Sequence, residues 1–285
     1  SKAVAIIDSG LDDSHPDIDP YGETLSYSDV ASWEDILFPA EGGWLNKTVW
    51  LIAGNEYYVK VNWIDSDDDY DVYILEPGQT LSGGYYYSSA ATSNKPEHVW
   101  FYATQTGNWI IAIRGTDIQG LRSRGNIYVK RVSRTVDWSK KIVGWRDFTG
   151  AEASSPTDPH GHGTFVASVV AGEGNGTYYK YEGVAPNTKL VGVRIFDSSY
   201  SKDADIAGAL SWVARMATTY NMVVALASWT LSYTSSTINQ LVQVCFEHGV
   251  VFVSPIGNGG VGGSYGSPST SNYALVVGAV NDQNE

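Results

Sequence analysis

The stretch KLVGVRIFDSSYSKDADIAGALSWVARMATTYNMVVALAS, residues 189–228, carries the pattern that decides the fold. Two nearly continuous apolar runs, KLVGVRIF and MVVALAS, enclose a segment over 203–219 in which Ile206, Leu210 and Val213 recur at helical spacing. Apolar runs without polar alternation are typical of strands that are buried on both faces of a sheet. A strand, a helix and a second strand in this order predict a parallel βαβ unit.

The same alternation of strand and helix patterns extends to both ends of the chain. AVAII, KKIVGW, VVFVSP and YALVVGAV have the same apolar character, and further helical patterns cover 162–172 and 236–248. Together they predict an α/β domain with a doubly wound parallel sheet, built from residues 1–19 and 139–285. Cys245 is the only cysteine and shares an apolar helix face with its neighbours, so we expect a core residue and no disulfide.

Residues 20–138 have a different composition and form a predicted insertion. They hold seven of the ten tryptophans and eleven of the nineteen tyrosines. Their short runs, such as EYYVKVNWI, YDVYIL and NIYVKRV, alternate apolar and polar residues between turn-forming Gly, Asn and Pro. This pattern is typical of an all-β sandwich or jelly roll, and we expect most of its tryptophans in the core.

Charge and hydropathy exclude two classes of partner. Acidic residues outnumber basic ones 31 to 18, which gives a net charge of -13, and no basic stripe interrupts this balance. We therefore expect no nucleic-acid partner. No apolar run approaches the roughly 20 residues that span a bilayer, so no membrane span is expected either. No signal peptide is visible and the chain starts almost directly in a strand, so we expect that Ser1 is not the natural N-terminus.

Two polar residues stand where an open α/β sheet collects its functional groups, near the carboxyl ends of strands. Asp8 ends the first strand in AVAIIDSG, although Asp-Ser-Gly is also ordinary turn chemistry. His162 opens the helical part of HGHGTFVASVVAG, where the helix dipole favours the neutral ring that a general base needs. A metal site of Asp158, His160 and His162 is the alternative, but His-x-His pairs that bind metals usually sit on a strand.

Two other motifs suggest ligands. GNGGVG, Gly257–Gly262, matches the dinucleotide fingerprint, but loop sequence rather than a helix follows it, so a dinucleotide site is excluded. The insertion carries four aspartates at alternate positions, with Glu76 at the last ligand position of an EF-hand: Asp65, Asp67, Asp69 and Asp71. Tyr70 occupies the place of the turn glycine, so we expect structural calcium at a carboxylate cluster, with a solvated acidic loop as the alternative. No catalytic cofactor is expected.

Taken together, the motifs of the α/β part resemble those of the subtilisin-like serine peptidases, the subtilase family. VAIIDSGLDDSHPDI resembles the family's aspartate motif, GHGTFVAS its histidine motif, and VVFVSPIGNGG the segment with its oxyanion-hole asparagine. The resemblance implies a secreted endopeptidase that hydrolyses polypeptides by Ser-His-Asp acyl transfer. It implies that Asp8 is the acid, His162 the base and Asn258 the oxyanion donor, with His160 a bystander. DYDVYIL and GNWIIAIRG resemble a pre-peptidase C-terminal type β-sandwich.

The chain departs from the family pattern at three places. Phe165 and Ser168 replace a histidine and a glycine of the histidine motif, where we expect a helix to tolerate the change. Ala227-Ser228-Trp229 replaces the Ser-Leu-Gly edge of the substrate cleft, and a tryptophan there would reshape the pockets. The nucleophile motif Gly-Thr-Ser occurs nowhere in the sequence.

The missing nucleophile leaves two hypotheses. Ser254, Ser264 and Ser267 lie near Asn258 but lack the motif, so we expect a fragment without turnover whose serine comes from a second chain or fragment. The alternative is a non-catalytic pseudopeptidase that binds protein or glycan through the inserted β-sandwich. Keeping the acid, the base and the oxyanion donor together argues against such decay.

Overall fold

The computed structural model of the chain describes residues 1–65, 67–81, 87–89, 96–119, 122–149, 153–175, 181–196, 201–260 and 265–280. The chain forms two compact units. The α/β unit comprises Ser1–Glu23 and Val136–Glu285, and the β unit comprises Thr24–Thr135. None of the helices in these described ranges has the length and apolar character that crossing a membrane requires.

Strands dominate the described residues, with helices confined to the second half of the chain. In chain order the strands are β1 (Ala3–Asp8), β2 (Glu23–Leu37), β3 (Trp44–Leu51), β4 (Glu56–Trp63), β5 (Asp69–Leu75), β6 (Tyr87–Ser89), β7 (Glu97–Tyr102), β8 (Gly107–Asp117), β9 (Arg124–Val136), β10 (Ile142–Asp147), β11 (Lys189–Arg194), β12 (Met222–Leu226), β13 (Val251–Pro255) and β14 (Ala274–Val277). The helices are α1 (His162–Ala171), α2 (Asp203–Met216) and α3 (Ser236–Glu247).

The α/β unit is built on a six-stranded sheet in the order β10-β11-β1-β12-β13-β14, in which each neighbouring pair is parallel. β1 lies inside the sheet between β11 and β12, and its six residues are all buried. Val4 and Ile6 of β1 pack with Val166 and Ala167 of α1 in one apolar core. The predicted parallel α/β sheet is therefore confirmed.

The helices lie close to where the periodicity predicts them. α2 ends at Met216 rather than at 219, and the chain then turns, with the amide of Met222 donating to the carbonyl of Ala217. Asn221 then adopts a φ of 48°, in the left-handed region that commonly follows a helix end. Cys245 of α3 is fully buried, which confirms it as a core residue. Burial raises the pKa of its thiol to about 12.

The β unit contains two four-stranded sheets, β2-β9-β4-β7 and β3-β8-β5-β6, among the described residues. β4 pairs antiparallel with β7 and β9, and β8 pairs antiparallel with β3 and β5. The inward side chains of both sheets form one apolar core, whose large members include Phe38, Tyr70, Phe101 and Trp109. This shared core explains why the strands of the unit alternate apolar and polar residues.

The expectation that most tryptophans of residues 20–138 lie in the core is wrong. Trp63 and Trp109 are buried, whereas Trp44 and Trp50 are exposed at 41% and 61%. Strand alternation is the reason, because Trp50 stands between the inward-facing Val49 and Leu51 of β3 and so points outward. The aromatic richness of this segment is therefore partly a property of its surface.

The segments that connect the two units pair within the α/β unit. Gly22 donates its amide to the carbonyl of Ile142 in β10, and Asp137 donates its amide to the carbonyl of Gly22. The buried carboxylate of Glu23 accepts from the amide of Trp145 at 3.1 Å. These bonds explain why residues 20–23 and 136–138 group with the α/β unit rather than with the β unit.

Candidate active site

Asp8 and His162 are brought together at the carboxyl end of β1. Asp8 is the last residue of β1 and is fully buried. Its Oδ1 accepts from Nδ1 of His162 at 2.7 Å and from the amide of Ser9 at 2.7 Å. Because a carboxylate only accepts, Nδ1 is the donor in this bond, and in the neutral tautomer of the ring Nε2 carries the lone pair. The pair thus has the arrangement of a general base held by an acid.

Asp8 and His162 meet because two glycines allow the backbones around them to touch. A Cβ on Gly10 would lie 1.9 Å from the carbonyl oxygen of Thr157, and one on Gly163 would lie 2.1 Å from that of Gly10. Neither distance is compatible with a side chain, so both positions require glycine. The glycines of DSG and HGT therefore let the end of β1 pack directly against the start of α1.

The first turn of α1 is capped by side chains from outside the helix. Gly161, the residue before the helix, has a φ of 82° and provides no side-chain cap. Instead the amide of Gly163 donates to Oγ of Ser9 at 2.9 Å, and the amide of Thr164 donates to Oδ2 of Asp158 at 2.8 Å. These bonds satisfy two amides that a helix start leaves without partners inside the helix. His162 directly precedes these two residues in the chain.

A cavity of about 650 Å³ opens beside the pair and is apolar along one wall. Asp8 and His162 line it together with Phe196, Ile206 and Trp229. Nε1 of Trp229 donates to the carbonyl of Ile7 at 2.8 Å, and its ring meets that of Phe196 edge to face at 6.1 Å between centroids. This wall can bind an apolar group next to the base.

His160 also lines the cavity, with its ring centroid 6.2 Å from that of His162. The alternative metal site of Asp158, His160 and His162 finds no support in the described ranges, which contain no group of three His, Cys, Asp or Glu residues able to hold an ion. Asp158 is instead occupied as an acceptor for Ser9, Gly161 and Thr164.

No described contact joins Asn258 to Asp8 or His162. It follows β13, two strands from β1 in the sheet, is exposed, and is absent from the residues that line the cavity. Its role as oxyanion donor stays a prediction. Ser254 and Ser267 are fully buried, so neither can reach a substrate, and Ser264 lies outside the described residues.

The four aspartates of the β unit do not converge in the described part of the chain, which lacks Ser66. Oδ1 of Asp65 accepts from the amide of Asp67 at 3.0 Å, in an exposed turn. Oδ2 of Asp71 accepts from the hydroxyl of Tyr73 at 3.0 Å. Asp69 begins β5. Calcium binding by Asp65, Asp67, Asp69 and Asp71 stays a prediction.

Several residues of the site were not predicted as such from the sequence. Ser9 and Thr164 read as turn and helix residues, and Phe196 as part of a strand end. For Asp158 the sequence indicates only a candidate metal ligand. One signal was available, since an acidic residue shortly before a helix start is a common partner for the first helical amides.

The sequence matches the family model described as Subtilase family, Peptidase_S8, over residues 2–285. Subtilisin DY of Bacillus licheniformis is 34% identical over 144 residues, 49% of this chain and 50% of that protein. The Minor extracellular protease Epr of Bacillus subtilis (strain 168) is 29% identical over 134 residues, 46% of this chain and 20% of that protein. The solved structure of Sphericase aligns over 48% of this chain and 47% of that chain, with 32% identity and a TM-score of 0.43. The chain spans half or less of the length of these relatives.

Proposed function

The chain belongs to the subtilase family, and from that premise we propose that it supplies the acid and the base of a serine endopeptidase acting on polypeptides. The observation that carries the proposal is the bond of 2.7 Å between Nδ1 of His162 and the buried carboxylate of Asp8, beside an open cavity. A buried carboxylate can hold the imidazole in one tautomer and stabilise its protonated form during a reaction.

The proposed chemistry is acyl transfer. Nε2 of His162 takes the proton of a serine hydroxyl as its oxygen bonds to the carbonyl carbon, and the carbonyl electron pair moves to the oxygen. The proton then passes to the leaving amine as the peptide bond breaks. A water molecule then attacks the acyl-enzyme in the same two steps, and the carboxylic acid product leaves as the serine hydroxyl is restored. Asn258 is proposed as a donor to the oxyanion in both halves.

The serine is proposed to come from polypeptide other than these 285 residues. No Gly-Thr-Ser occurs in the sequence, and Ser254 and Ser267 are inaccessible. The proposal covers both a continuation of the same polypeptide and a separate chain, since either could bring a hydroxyl to His162.

An uncovered apolar surface on the α/β sheet supports this second component. Parallel registry places Val251 and Val253 of β13, with Leu275 and Val277 of β14, on the same sheet face as Val4 and Ile6, which α1 covers. Val251, Leu275 and Val277 are nevertheless exposed at 45%, 58% and 51%. We call these four residues the bare face.

Two further apolar side chains are exposed on α1, the helix that covers this sheet face over β1. Phe165 and Val169, one turn apart on α1, are exposed at 65% and 52%. Parallel sheets are nearly always covered on both faces, and apolar groups in a contiguous patch mark a contact surface. An amphipathic helix carrying the serine fits this surface, because it would bury the patch and lie beside the helix that begins with His162.

Secretion and an accessory role for the β unit are also proposed. The name of one relative describes an extracellular protease. The chain has one cysteine and no disulfide to form within itself, so its folding requires neither an oxidising nor a reducing compartment. The two sheets with a shared core suit a pre-peptidase C-terminal type β-sandwich.

The test is active-site labelling with a fluorophosphonate probe followed by intact-mass spectrometry. The chain is measured alone and together with a polypeptide that contains the family's Gly-Thr-Ser segment. We expect no adduct on the chain alone and an adduct on the added polypeptide in the mixture, abolished by His162→Ala. An adduct on this chain itself, or none in any mixture that forms a complex, would contradict the proposal.

A second candidate function, non-catalytic binding, is favoured by the aromatic surface of the β unit. Tyr27, Tyr58 and Trp100 form a cluster with ring centroids 4.6–5.9 Å apart, and Tyr27 is exposed. Such rings can stack on a sugar or a peptide side chain. Binding of a glycan or protein that Trp100→Ala removes and His162→Ala leaves intact, without labelling in any mixture, would favour this function instead.

A further inference from the structure

The carboxylate of Asp158 joins the end of β1 to the start of α1. Its Oδ2 accepts from the amide and the hydroxyl of Thr164, at 2.8 and 2.7 Å. Its Oδ1 accepts from the hydroxyl of Ser9 and the amide of Gly161, both at 2.8 Å. Ser9 directly follows Asp8, and Gly161 and Thr164 lie on either side of His162. One carboxylate therefore holds the neighbours of both the acid and the base.

The two hydroxyls pass this constraint on to the backbone. Oγ of Ser9 accepts from the amide of Gly163 at 2.9 Å, and Oγ1 of Thr164 accepts from the amide of Asp12 at 2.9 Å. Because each hydroxyl hydrogen is directed to Asp158, the oxygen lone pairs are left facing these amides. The carboxylate thus fixes the orientation of both hydroxyls, and each hydroxyl ties the strand end to the helix.

The charge of Asp158 is maintained in the folded protein. Burial raises the pKa of its carboxyl, but the hydrogen bonds from Thr164, Ser9 and Gly161 outweigh burial and hold the pKa below its ordinary value. Asp158 is therefore ionised throughout the pH range in which a histidine can act as a base. Hydrogen bonds to a charged acceptor are stronger than those between neutral groups, which suits a fixed anchor.

We propose that Asp158 is a positioning residue that aligns His162 with Asp8 through Ser9 and Thr164. Its importance for catalysis rests on the proposed function, whereas its effect on the Asp8–His162 bond does not require a nucleophile. Without the charged acceptor, Ser9 and Thr164 lose the partner that orients them, and the first turn of α1 can shift against β1. The bond from Nδ1 to Oδ1 then becomes intermittent.

The test observes that bond directly. In proton NMR of the whole chain, we expect the Nδ1–H of His162 to give a downfield-shifted signal while it donates to Asp8. Asp158→Asn keeps the shape of the side chain but turns an amide N–H₂ toward existing donors. We expect the signal to disappear or its exchange with solvent to speed up by about tenfold or more, since the bonds that restrain the helix start are lost.

Asp137→Asn is the matched control. Asp137 lies in the same unit and its Oδ1 likewise accepts from the amide and hydroxyl of a nearby residue, Ser139, at 2.9 and 2.7 Å. This control should leave the His162 signal unchanged. An unchanged signal in folded Asp158→Asn, at the wild-type position and exchange rate, would overturn the proposal.

A second pair of variants decides the matter if Asp158→Asn does not fold. Thr164→Ser retains the hydroxyl and should retain the signal, while Thr164→Val keeps the shape without the hydroxyl and should weaken it. Equal signals in both would also overturn the proposal. Failure of the proposed function is distinguished by labelling, because a chain that never supports an adduct can still show the expected loss of the His162 signal.

Discussion

Replacing Gly163 with alanine tests the close approach on which the acid–base pair depends. Gly163 lies in the first turn of α1, and a Cβ there would meet the carbonyl oxygen of Gly10 at 2.1 Å and Cβ of Asp8 at 3.1 Å. Non-bonded heavy atoms rest at roughly 3.5 Å or more, so the strand end and the helix start must separate. Because the obstacle is backbone rather than a flexible side chain, the strain cannot be relieved by a rotamer change.

Two opposing terms set the size of the effect. Alanine is favoured over glycine inside a helix by about 0.8–1.0 kcal/mol. Overpacking in a well-packed region costs about 1–3 kcal/mol, and the contact with backbone places Gly163→Ala toward the upper end. The net destabilisation is therefore about 1–2 kcal/mol, and for a unit of this size that lowers Tm by about 2–8 °C. Differential scanning calorimetry of the chain measures it.

Gly208→Ala supplies the matched comparison. Gly208 is also helical, in α2, but a Cβ there would meet only the ring of Phe148, at 3.2 Å. That ring can yield by a few tenths of an ångström, so the gain in helix propensity should leave Tm at or above the wild-type value. The reasoning is refuted if Gly163→Ala is as stable as wild type while Gly208→Ala is the less stable variant.

Four further expectations concern other parts of the molecule. Leu275→Asp on the bare face should leave unfolding within about 0.5 kcal/mol of wild type but weaken binding of a serine-bearing polypeptide in calorimetric titration, whereas Val184→Asp, at another exposed valine, should change neither. Cys245 should resist a thiol reagent at neutral pH until denaturant unfolds the chain, because burial raises its pKa to about 12. Asp158 has a lowered pKa when folded, so its stabilisation is present above its unfolded pKa of about 3.9 and is lost as pH falls through the folded pKa; Asp158→Asn should therefore lose less stability on acidification. If the aspartates of 65–71 bind calcium, saturating ion at about 100 times Kd should stabilise the chain by about 2.7 kcal/mol, and a chelator should reverse this.

The α/β sheet could be predicted from the sequence because strands that are buried on both faces consist of continuous runs of apolar residues. β1 is the plainest case, since AVAIID is buried at each position and stands between two other strands. Asp8 and His162 were predictable for a related reason, because each sits at a boundary between a regular element and a glycine-containing turn. Their resemblance to a family motif added the roles, and the bond of 2.7 Å adds the geometry.

The support around the pair could not be predicted, because it depends on contacts between distant segments. Ser9 and Asp158 are 149 positions apart, and nothing local to either residue specifies that their side chains meet. The surface tryptophans of the β unit show a second limit. A tryptophan in an alternating strand faces inward or outward according to register, and composition alone says nothing about register.

In the last two strands of the sheet, the burial that the sequence predicts differs from the exposure in the structure. VVFVSP and YALVVGAV have the continuous apolar character that predicts burial on both faces, yet the face shared with α1 is exposed at Val251, Leu275 and Val277. The apolar sequence of these strands therefore predicts a sheet that is covered on this face. Among the described residues, α1 packs on this face over β10, β11 and β1. Exposed apolar side chains that lie together mark a contact surface on a folded domain. Such a surface on the unit that holds the Asp8–His162 pair favours the hypothesis in which another polypeptide covers the bare face and brings the serine.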